Sequence, residues 1–262
     1  MSPRRLEGLG VVVTRPRNAG EPLAAALSRE GAKTWLFPAL AIEDLEPDAG
    51  LQALLSGISR FDMAIFVSAN AVEKGLAMAA RFASWPPAIG IAAIGEATAQ
   101  ALRNSGHANV ISPPDRHDSE GLLALPQLRD ARGRNIIVFR GEGGRERLKE
   151  ALEERGATVT YAECYRRVRP DVDPSTVVTA LSRGEVHAVS VLSGETLGNF
   201  VAMIGASAGN LGDVALLVPH AAVGARPEAR RFARVIVAEH GAEGLIEALT
   251  QIRATTRIRS TP

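Results

Sequence analysis

The sequence contains little of the chemistry that marks metalloproteins, disulfide-rich secreted proteins or membrane proteins. Its 262 residues include one cysteine, Cys164, which excludes an intramolecular disulfide. Its five histidines are scattered, without metal-ligand spacing. No apolar run approaches the roughly 18 residues that a membrane span needs, and the N-terminal stretch lacks the apolar core of a secretory signal. These absences predict a cytoplasmic protein without a metal or cofactor.

Aromatic residues and lysine are also scarce. Aromatic residues make up 4% of the chain and the formal net charge is +1, so neither a stacking platform nor a basic field indicates a nucleic-acid partner. Only three of the 30 cationic residues are Lys, which leaves 27 Arg. Arginine suits forked binding of carboxylates or phosphates. A compositional bias towards arginine explains the same counts, and both explanations stay open.

Short apolar runs recur along the chain, and each leads into a turn and a segment with helical periodicity. The clearest runs are "LGVVVTRP", "DMAIFVSANAV", "IGIAAIGEATA", "NIIVFRGEGG", "HAVSVLSGETL" and "ALLVPHAAV". Continuous apolar strands that alternate with helices are typical of an α/β fold with buried parallel sheets.

The order of these runs repeats after 125 residues. Arg15 then falls on Arg140, Ser68 falls on Ser193, and the strand from Ile91 falls on the strand from Leu216. One offset holds across about a hundred residues without a gap, which predicts an internal duplication of one α/β unit. Two such units predict two sheets with a cleft between them. Ligands of open α/β sheets bind at the carboxyl ends of the strands, where the turns quoted above lie.

The glycine cluster at 141–144 follows an apolar strand and precedes a helix. It lacks the Lys and Ser/Thr of a Walker loop, and Glu146 stands where a dinucleotide loop has its third glycine. The cluster can offer backbone N–H groups to a carboxylate, with Arg140 and Arg145 beside them. A tight turn that requires positive φ explains the glycines equally well.

The other strand ends carry no strong catalytic signal. Ser68 and Ser193 have the positions of helix N-caps, and neither lies in a Gly-x-Ser-x-Gly elbow. His187 and His220 stand alone, and no carboxylate pair is evident. The residues by themselves therefore indicate a two-lobed binder of an anionic small molecule, or an enzyme that acts on a reactive substrate.

The chain resembles the uroporphyrinogen-III synthase family from about Gly10 to Leu249. The resemblance rests on the order and spacing of "VVVTRP", "FPALAI", "FVSANAVE", "IGEATAQAL", "RGEGGRERLKEALEERGA" and "YAECYRR". It implies two similar flavodoxin-like three-layer lobes with parallel sheets. One lobe comprises residues 1–36 with 168–262 and the other comprises 37–167. A two-stranded extended linker would join them near Leu36–Glu43 and Glu163–Arg169.

The resemblance also implies an activity. The family is a hydro-lyase that cyclises hydroxymethylbilane to uroporphyrinogen III with inversion of ring D, through azafulvene and spiro intermediates. This step serves heme, siroheme and cobalamin biosynthesis and uses no cofactor. The resemblance further implies a cytoplasmic monomer, with a possible transient handover of substrate from hydroxymethylbilane synthase, and no nucleic-acid or membrane partner.

Individual residues follow from the same resemblance. Tyr165 in "ECYRR" matches the family's candidate for assisting departure of the hydroxyl group. Thr98 matches a cleft threonine, and His220 stands where some members have threonine. The full set of predicted substrate contacts is Thr14, Arg15, Ser68, Ala69, Asn70, Thr98, Arg140, Gly141, Gly143, Gly144, Ser193, Gly194, Thr196 and His220.

Two alternatives stay open beside the enzyme. One is a non-catalytic ligand sensor that keeps the synthase-like fold, and the other is a two-lobed binder of an anionic small molecule. The last segment, "QIRATTRIRSTP", has the composition of a short disordered basic tail rather than a DNA-binding extension. This favours the enzyme.

Overall fold

A computed structural model of the chain describes residues 4–144, 146–205, 211–239 and 241–259. Arg145, expected beside the glycine cluster, lies outside the described residues. The strands are β1 Gly10–Val13, β2 Lys33–Leu36, β3 Ala41–Asp44, β4 Met63–Phe66, β5 Gly90–Ala93, β6 Val110–Ile111, β7 Asn135–Gly141, β8 Thr158–Val168, β9 Ala188–Ser190, β10 Ala215–Val218 and β11 Arg234–Val237.

Helices alternate with these strands. They are α1 Arg17–Arg29, α2 Ala49–Ser56, α3 Ala69–Ala79, α4 Glu96–Asn104, α5 Ser119–Leu123, α6 Pro126–Arg129, α7 Arg147–Glu154, α8 Ser175–Ser182, α9 Gly194–Ile204, α10 Ala221–Gly224 and α11 Gly241–Arg259. Short 3₁₀ helices lie at Ile58–Arg60 and Pro227–Arg231. Among the described residues, no helix has both the length and the apolar composition to cross a membrane.

The chain divides into two compact units. The first unit is residues 1–41 with 168–262, and the second is residues 42–167. The first has a five-stranded sheet of order β11-β10-β9-β1-β2, and the second has a six-stranded sheet of order β3-β8-β7-β4-β5-β6. The paired strands are parallel in β1–β2, β1–β9, β9–β10 and β10–β11, and in β4–β5, β4–β7, β5–β6 and β7–β8. The predicted α/β fold with parallel sheets is therefore confirmed.

The boundary of the first unit differs from the predicted one by five residues. Residues 37–41, expected in the other lobe, belong to the first unit. Phe37 and Ala39 are buried in its core, where the Phe37 ring meets Phe200 edge-on at a centroid distance of 5.9 Å. Burial of a phenyl ring stabilises by a few kcal/mol, on the order of 1.5–3, which ties this segment to the first unit.

The 125-residue repeat predicted from the sequence is confirmed. Under this shift α3 falls on α9 and β5 falls on β10 with identical bounds. The five strands β6-β5-β4-β7-β8 of the second sheet correspond in the same spatial order to β11-β10-β9-β1-β2 of the first. The two units thus share one topology.

Each sheet is covered by helices on both faces. In β4 the side chains of Met63 and Ile65 pack with α5, α6 and α7, while those of Ala64 and Phe66 pack with α2, α3 and α4. A strand that is buried on both faces reads as a continuous apolar run, as this one does in the sequence. The first unit follows the same rule, with α8 and α9 on one face and α1 and α11 on the other.

The prediction of a disordered C-terminal tail is wrong for residues 251–259, because α11 extends to Arg259. Ile252 is buried against the first sheet's helix layer, together with Leu245 and Leu249. The Arg253 guanidinium donates to the carbonyls of Arg4 and Arg5, at 2.7 and 2.9 Å. Packing and these hydrogen bonds hold a segment whose composition alone indicated disorder.

Candidate functional site

A cavity of about 650 Å³ lies in the second unit, at the edge where its parallel strands end. Val67 and Ile94, which follow β4 and β5, form part of its wall, and the glycine turn after β7 forms another part. The basic side chains that line it are Arg116, His117, Arg140, Arg147 and Arg167, and the acidic ones are Asp118 and Glu120. This excess of cationic groups suits an anionic ligand.

Two of these arginines are engaged in exposed ion pairs. Arg116 contacts Asp118 at 2.7 Å, and Arg147 contacts Glu120 at 3.1 Å. Exposed pairs of this kind contribute little to stability, so an incoming carboxylate can exchange with the acidic partner. No motif or spacing in the sequence indicates these two arginines. The only local signal was the capping residue Asp118, which accepts from the Gly121 N–H at 2.9 Å and begins α5.

Tyr165 reaches the cavity wall because β8 contains a β-bulge. Arg140 pairs with Glu163, but the next residue, Gly141, pairs with Tyr165, so Cys164 is an extra residue in β8. Before the bulge the side chains alternate between the two faces, and Ala162 and Cys164 share the face covered by α2, α3 and α4. The extra residue places Tyr165 on that same face rather than on the opposite one.

The Tyr165 side chain is fixed on two sides. Its hydroxyl lies 3.0 Å from the Ser68 hydroxyl, and its ring lies against Gly141, where an added Cβ would approach Cε2 to 2.6 Å. Only 4% of Tyr165 is exposed, yet the residue lines the cavity. A buried phenol with a fixed ring presents its hydroxyl with little loss of side-chain entropy.

Hydrogen bonds from Arg140 stabilise the glycine turn at residues 141–144. Gly143 and Gly144 have φ of 67° and 109°, conformations that favour glycine, so the turn interpretation of these residues is confirmed. The Arg140 guanidinium donates to the carbonyls of Gly141 and Gly143 and to Glu146. The Gly143 N–H donates to the Glu163 carboxylate at 3.1 Å.

These contacts limit what the turn can offer a ligand. The guanidinium of Arg140 is buried and neutralised by Glu146 and, at 3.8 Å, by Glu163. The resemblance to the family predicts that Arg140 and Gly143 contact substrate. Both line the cavity, but the polar groups described above already have partners within the protein. The contacts of Arg140 indicate a role in supporting the wall.

A second tyrosine, Tyr161, also lines the cavity. Its ring packs under the Arg140 guanidinium at 4.2 Å, and its hydroxyl is buried near Glu146 without a hydrogen bond of good geometry. Burial raises the pKa of Tyr161 to about 12. The Tyr161 phenol is therefore protonated at neutral pH and cannot act there as a base.

The remaining predicted residues of the second unit do not line the cavity. Ala69 and Asn70 form the first turn of α3, and Ser68 caps this helix by accepting from the Ala71 N–H at 3.0 Å. Thr98 is buried in the first turn of α4. The wall itself is formed by Gly141, Gly143, Gly144, Arg140 and Tyr165 from the predicted set.

The predicted residues of the first unit lie at the corresponding edge of its sheet. Thr14 is fully buried and donates its hydroxyl proton to the Ser190 carbonyl at 2.7 Å, so this geometry does not support a ligand contact at Thr14. Ser193 caps α9 by accepting from the Thr196 N–H, and the Thr196 side chain is buried against it. Gly194 lies under the Arg226 side chain, and His220 is exposed before α10.

Arg15 differs from Arg140, its counterpart in the repeat. It lines a small recess in the first unit with Ser190, Pro219 and the carboxylate-bearing Glu239. Its Nε is buried, and its guanidinium has no hydrogen-bond or ion-pair partner among the described residues. Burial lowers the pKa of Arg15 below its usual range. This is the environment of a cation that is ready to accept an anion.

No group of three or more metal-binding side chains occurs in the part of the chain that the structure describes. The only cysteine, Cys164, is buried, and burial raises its pKa to about 12. Its thiol is therefore neutral at physiological pH and does not act as a nucleophile.

Comparisons with known proteins identify the family to which the sequence is similar. The sequence model of the family described as "Uroporphyrinogen-III synthase HemD" matches residues 21–251. The uroporphyrinogen-III synthase of Escherichia coli K12 is 34% identical over 190 residues, which cover 72% of this chain and 77% of the relative. That of Synechococcus elongatus is 31% identical over 215 residues, covering 81% of this chain and 80% of the relative.

Solved structures support the fold. A crystal structure of a mutant uroporphyrinogen III synthase from the extreme thermophile Thermus thermophilus matches with a TM-score of 0.62 at 21% identity, covering 94% of this chain and 99% of that one. The uroporphyrinogen-III synthetase of Helicobacter pylori 26695 matches with a TM-score of 0.61 at 13% identity, covering 94% and 100%. The family match over most of the sequence decides the assignment, and the chain belongs to the uroporphyrinogen-III synthase family.

Proposed function

We propose that the chain is a uroporphyrinogen-III synthase, a hydro-lyase that converts hydroxymethylbilane to uroporphyrinogen III in tetrapyrrole biosynthesis. Membership of the family supports this activity. The observation that carries it to this chain is the position of Tyr165, whose phenol is held on the wall of a cavity lined by basic side chains.

The charge of this cavity suits the substrate. Hydroxymethylbilane carries eight carboxylates, and Arg116, Arg147 and Arg167 line the cavity of the second unit. Arginine binds carboxylates through two parallel hydrogen bonds, which fixes orientation as well as position. Holding a flexible, reactive chain in one geometry is a large source of rate acceleration, and here it also selects the product isomer.

Tyr165 has the chemistry that the first step requires. When the hydroxymethyl C–O bond breaks, the oxygen departs as water and must gain a proton. The electron pair of the pyrrole nitrogen forms the azafulvene as the N–H proton is lost. The Tyr165 phenol donates a hydrogen bond or a proton to the departing oxygen. The substituted carbon of ring D then attacks the azafulvene carbon to give the spiro intermediate, which reopens and closes with ring D inverted.

The other predicted contacts fit this proposal to different degrees. Among the described residues the buried Nε of Arg15, in the first unit, has no hydrogen-bond partner, so this side chain can bind a further carboxylate. Ser193, Gly194 and His220 lie at strand and helix ends of the same unit, where exposed N–H groups favour anions. We also infer a cytoplasmic monomer that receives its substrate by transient handover from hydroxymethylbilane synthase. These points rest on the family resemblance.

An isomer assay tests the activity. Freshly generated hydroxymethylbilane is mixed with the protein, the products are oxidised, and uroporphyrins I and III are separated. We expect isomer III to form faster than the spontaneous closure to isomer I. Isomer I alone, at the rate of an enzyme-free control, would instead support a non-catalytic sensor or binder of an anionic small molecule.

Tyr165→Phe tests the residue. This change removes one hydroxyl and keeps the ring that packs on Gly141. We expect kcat to fall about tenfold or more, because a hydrogen bond to developing charge is worth about 1.5–3 kcal/mol. The melting temperature should change little. Unchanged kcat in a folded variant would remove Tyr165 from the mechanism.

A further inference from the structure

Ser68 makes two hydrogen bonds that link a helix terminus to the proposed catalytic phenol. Its backbone is extended, with φ of −167°, and its hydroxyl oxygen accepts from the Ala71 N–H at 3.0 Å. The same hydroxyl lies 3.0 Å from the Tyr165 hydroxyl. The cap and the contact with Tyr165 therefore share one oxygen atom.

One of the two hydroxyls is the favoured hydrogen-bond donor. The Ser68 oxygen lies at the N-terminus of α3, an 11-residue helix whose first turn contains no acidic side chain. The positive end of the helix dipole makes a hydroxyl there a better donor and a poorer acceptor. Either hydroxyl could donate, and the helix dipole favours Ser68 as the donor to the Tyr165 oxygen. The Tyr165 proton is then left for a partner in the cavity that this residue lines.

We propose that Ser68 is a positioning residue, which donates its proton to Tyr165 and so directs the phenolic proton towards the departing hydroxyl of the substrate. This inference rests on the proposed role of Tyr165. It gives Ser68 a different task from the carboxylate contact predicted from the sequence.

The corresponding position in the other unit shows that the tyrosine contact is not a general feature of the cap. Ser193, the counterpart of Ser68 after the 125-residue shift, caps α9 in the same way through the Thr196 N–H at 3.1 Å. The Ser193 hydroxyl contacts the Thr196 hydroxyl, 3.0 Å away. The bulge at Cys164 brings Tyr165 to Ser68, so the two features act together.

A double-mutant cycle tests the proposal. The wild type, Ser68→Ala, Tyr165→Phe and the double variant are compared for kcat and KM of isomer III formation. We expect Ser68→Ala to lower kcat about tenfold with KM nearly unchanged, and Ser68→Thr to restore kcat to within about threefold. In the Tyr165→Phe background, Ser68→Ala should change kcat less than about twofold, because residues that act as a unit are not additive.

A second variant distinguishes the loss of a helix cap from the loss of the contact with Tyr165. Asp48 caps α2 of the same unit by accepting from the Leu51 N–H at 2.8 Å, and it is not part of the cavity wall. Asp48→Ala should lower the melting temperature about as much as Ser68→Ala does, because each removes one N-cap. It should leave kcat at the wild-type value.

The outcomes distinguish this inference from the proposed function. Equal loss of kcat from Ser68→Ala in both backgrounds, or no loss in either, would overturn the positioning role while leaving Tyr165 in place. An unchanged kcat for Tyr165→Phe would overturn the role of Tyr165 and, with it, that of Ser68. Failure of the wild type to form isomer III would overturn the proposed function itself.

Discussion

Replacement of Gly141 by alanine is expected to displace Tyr165, the proposed proton donor, while leaving its hydroxyl group intact. Gly141 pairs with Tyr165 across the β-bulge, and a Cβ at this position would lie 2.6 Å from Cε2 and 2.8 Å from Cζ of the ring. Real Cβ atoms essentially never approach other heavy atoms to under 3.0 Å, so the ring or the strand must shift. The ring cannot turn away freely, because its hydroxyl is 3.0 Å from Ser68 and its surface is almost fully buried.

The magnitude follows from the cost of overpacking. Inserting a methyl group into a well-packed site costs about 1–3 kcal/mol. At roughly 2–4 °C per kcal/mol, the melting temperature should fall by about 2–12 °C. Displacement of the phenol should also lower kcat about tenfold, as Tyr165→Phe does, because the same hydrogen bond to the departing oxygen is lost. KM should rise less than kcat falls, since the basic side chains that line the cavity are unchanged.

A matched control is available in the same sheet. At Gly90 in β5, an added Cβ would lie 3.4 Å from the Asp62 carbonyl, which is an ordinary contact. Gly90→Ala should therefore keep both kcat and the melting temperature within error. Wild-type kcat in Gly141→Ala, measured by the isomer assay in protein whose melting temperature is also unchanged, would refute the account of how Tyr165 is positioned.

Three further predictions concern single residues. Arg15→Gln should raise KM about tenfold, because it removes a charge-assisted hydrogen bond to a substrate carboxylate. Urea unfolding of this variant should show no loss of stability. An unchanged KM would contradict the role of Arg15. Arg140→Gln should lower the free energy of unfolding by about 1–3 kcal/mol, because the glycine turn loses its hydrogen bonds; unchanged stability would contradict the supporting role. Between pH 8 and 10 the Cys164 thiol ionises in the unfolded chain but stays neutral in the folded protein. Over this range the free energy of unfolding, measured with urea, should therefore fall by about 2 kcal/mol more for the wild type than for Cys164→Ala. An equal fall in both proteins would show that the native thiol ionises.

Much of the fold could be predicted from the sequence because its strands are apolar on both faces. A buried parallel strand has no polar alternation, so runs such as residues 63–66 and 215–218 stand out without a structure. The offset of 125 residues then predicted the correspondence of the strands, and α3 and α9 have corresponding bounds. Local pattern and topology agree in these segments.

The orientation of Tyr165 could not be predicted in the same way. A bulge adds one residue to one strand, and its presence depends on the pairing of β7 with β8 rather than on either sequence alone. The apolar alternation of "TVTYAECY" would place Tyr165 on the face opposite to the one it occupies. The resemblance to the family identified the residue, and the pairing explains its direction.

The arginines that line the cavity could not be predicted from the sequence for a related reason. Arg116 lies in an irregular segment between β6 and α5, and its approach to the strand ends depends on the path of that segment. Periodicity carries no information about such a path. With 27 arginines in the chain, composition could not single out the ones at the site.

The two repeats also show how one position can take two roles. Arg15 and Arg140 correspond under the shift, yet Arg140 is neutralised by Glu146 and Glu163 whereas Arg15 has no such partner among the described residues. Arg140 thus supports a turn, whereas the buried Nε of Arg15 has no hydrogen-bond partner among the described residues. We therefore expect Arg15→Gln to raise KM without loss of stability, and Arg140→Gln to lower the free energy of unfolding.

A structure of the protein with bound uroporphyrinogen III, prepared without oxygen, tests the central claim most directly. We predict that carboxylates of the tetrapyrrole contact Arg116, Arg147 or Arg167 and that a meso carbon lies within reach of the Tyr165 hydroxyl. A tetrapyrrole bound away from the cavity of the second unit, with Tyr165 in contact only with protein, would contradict the account.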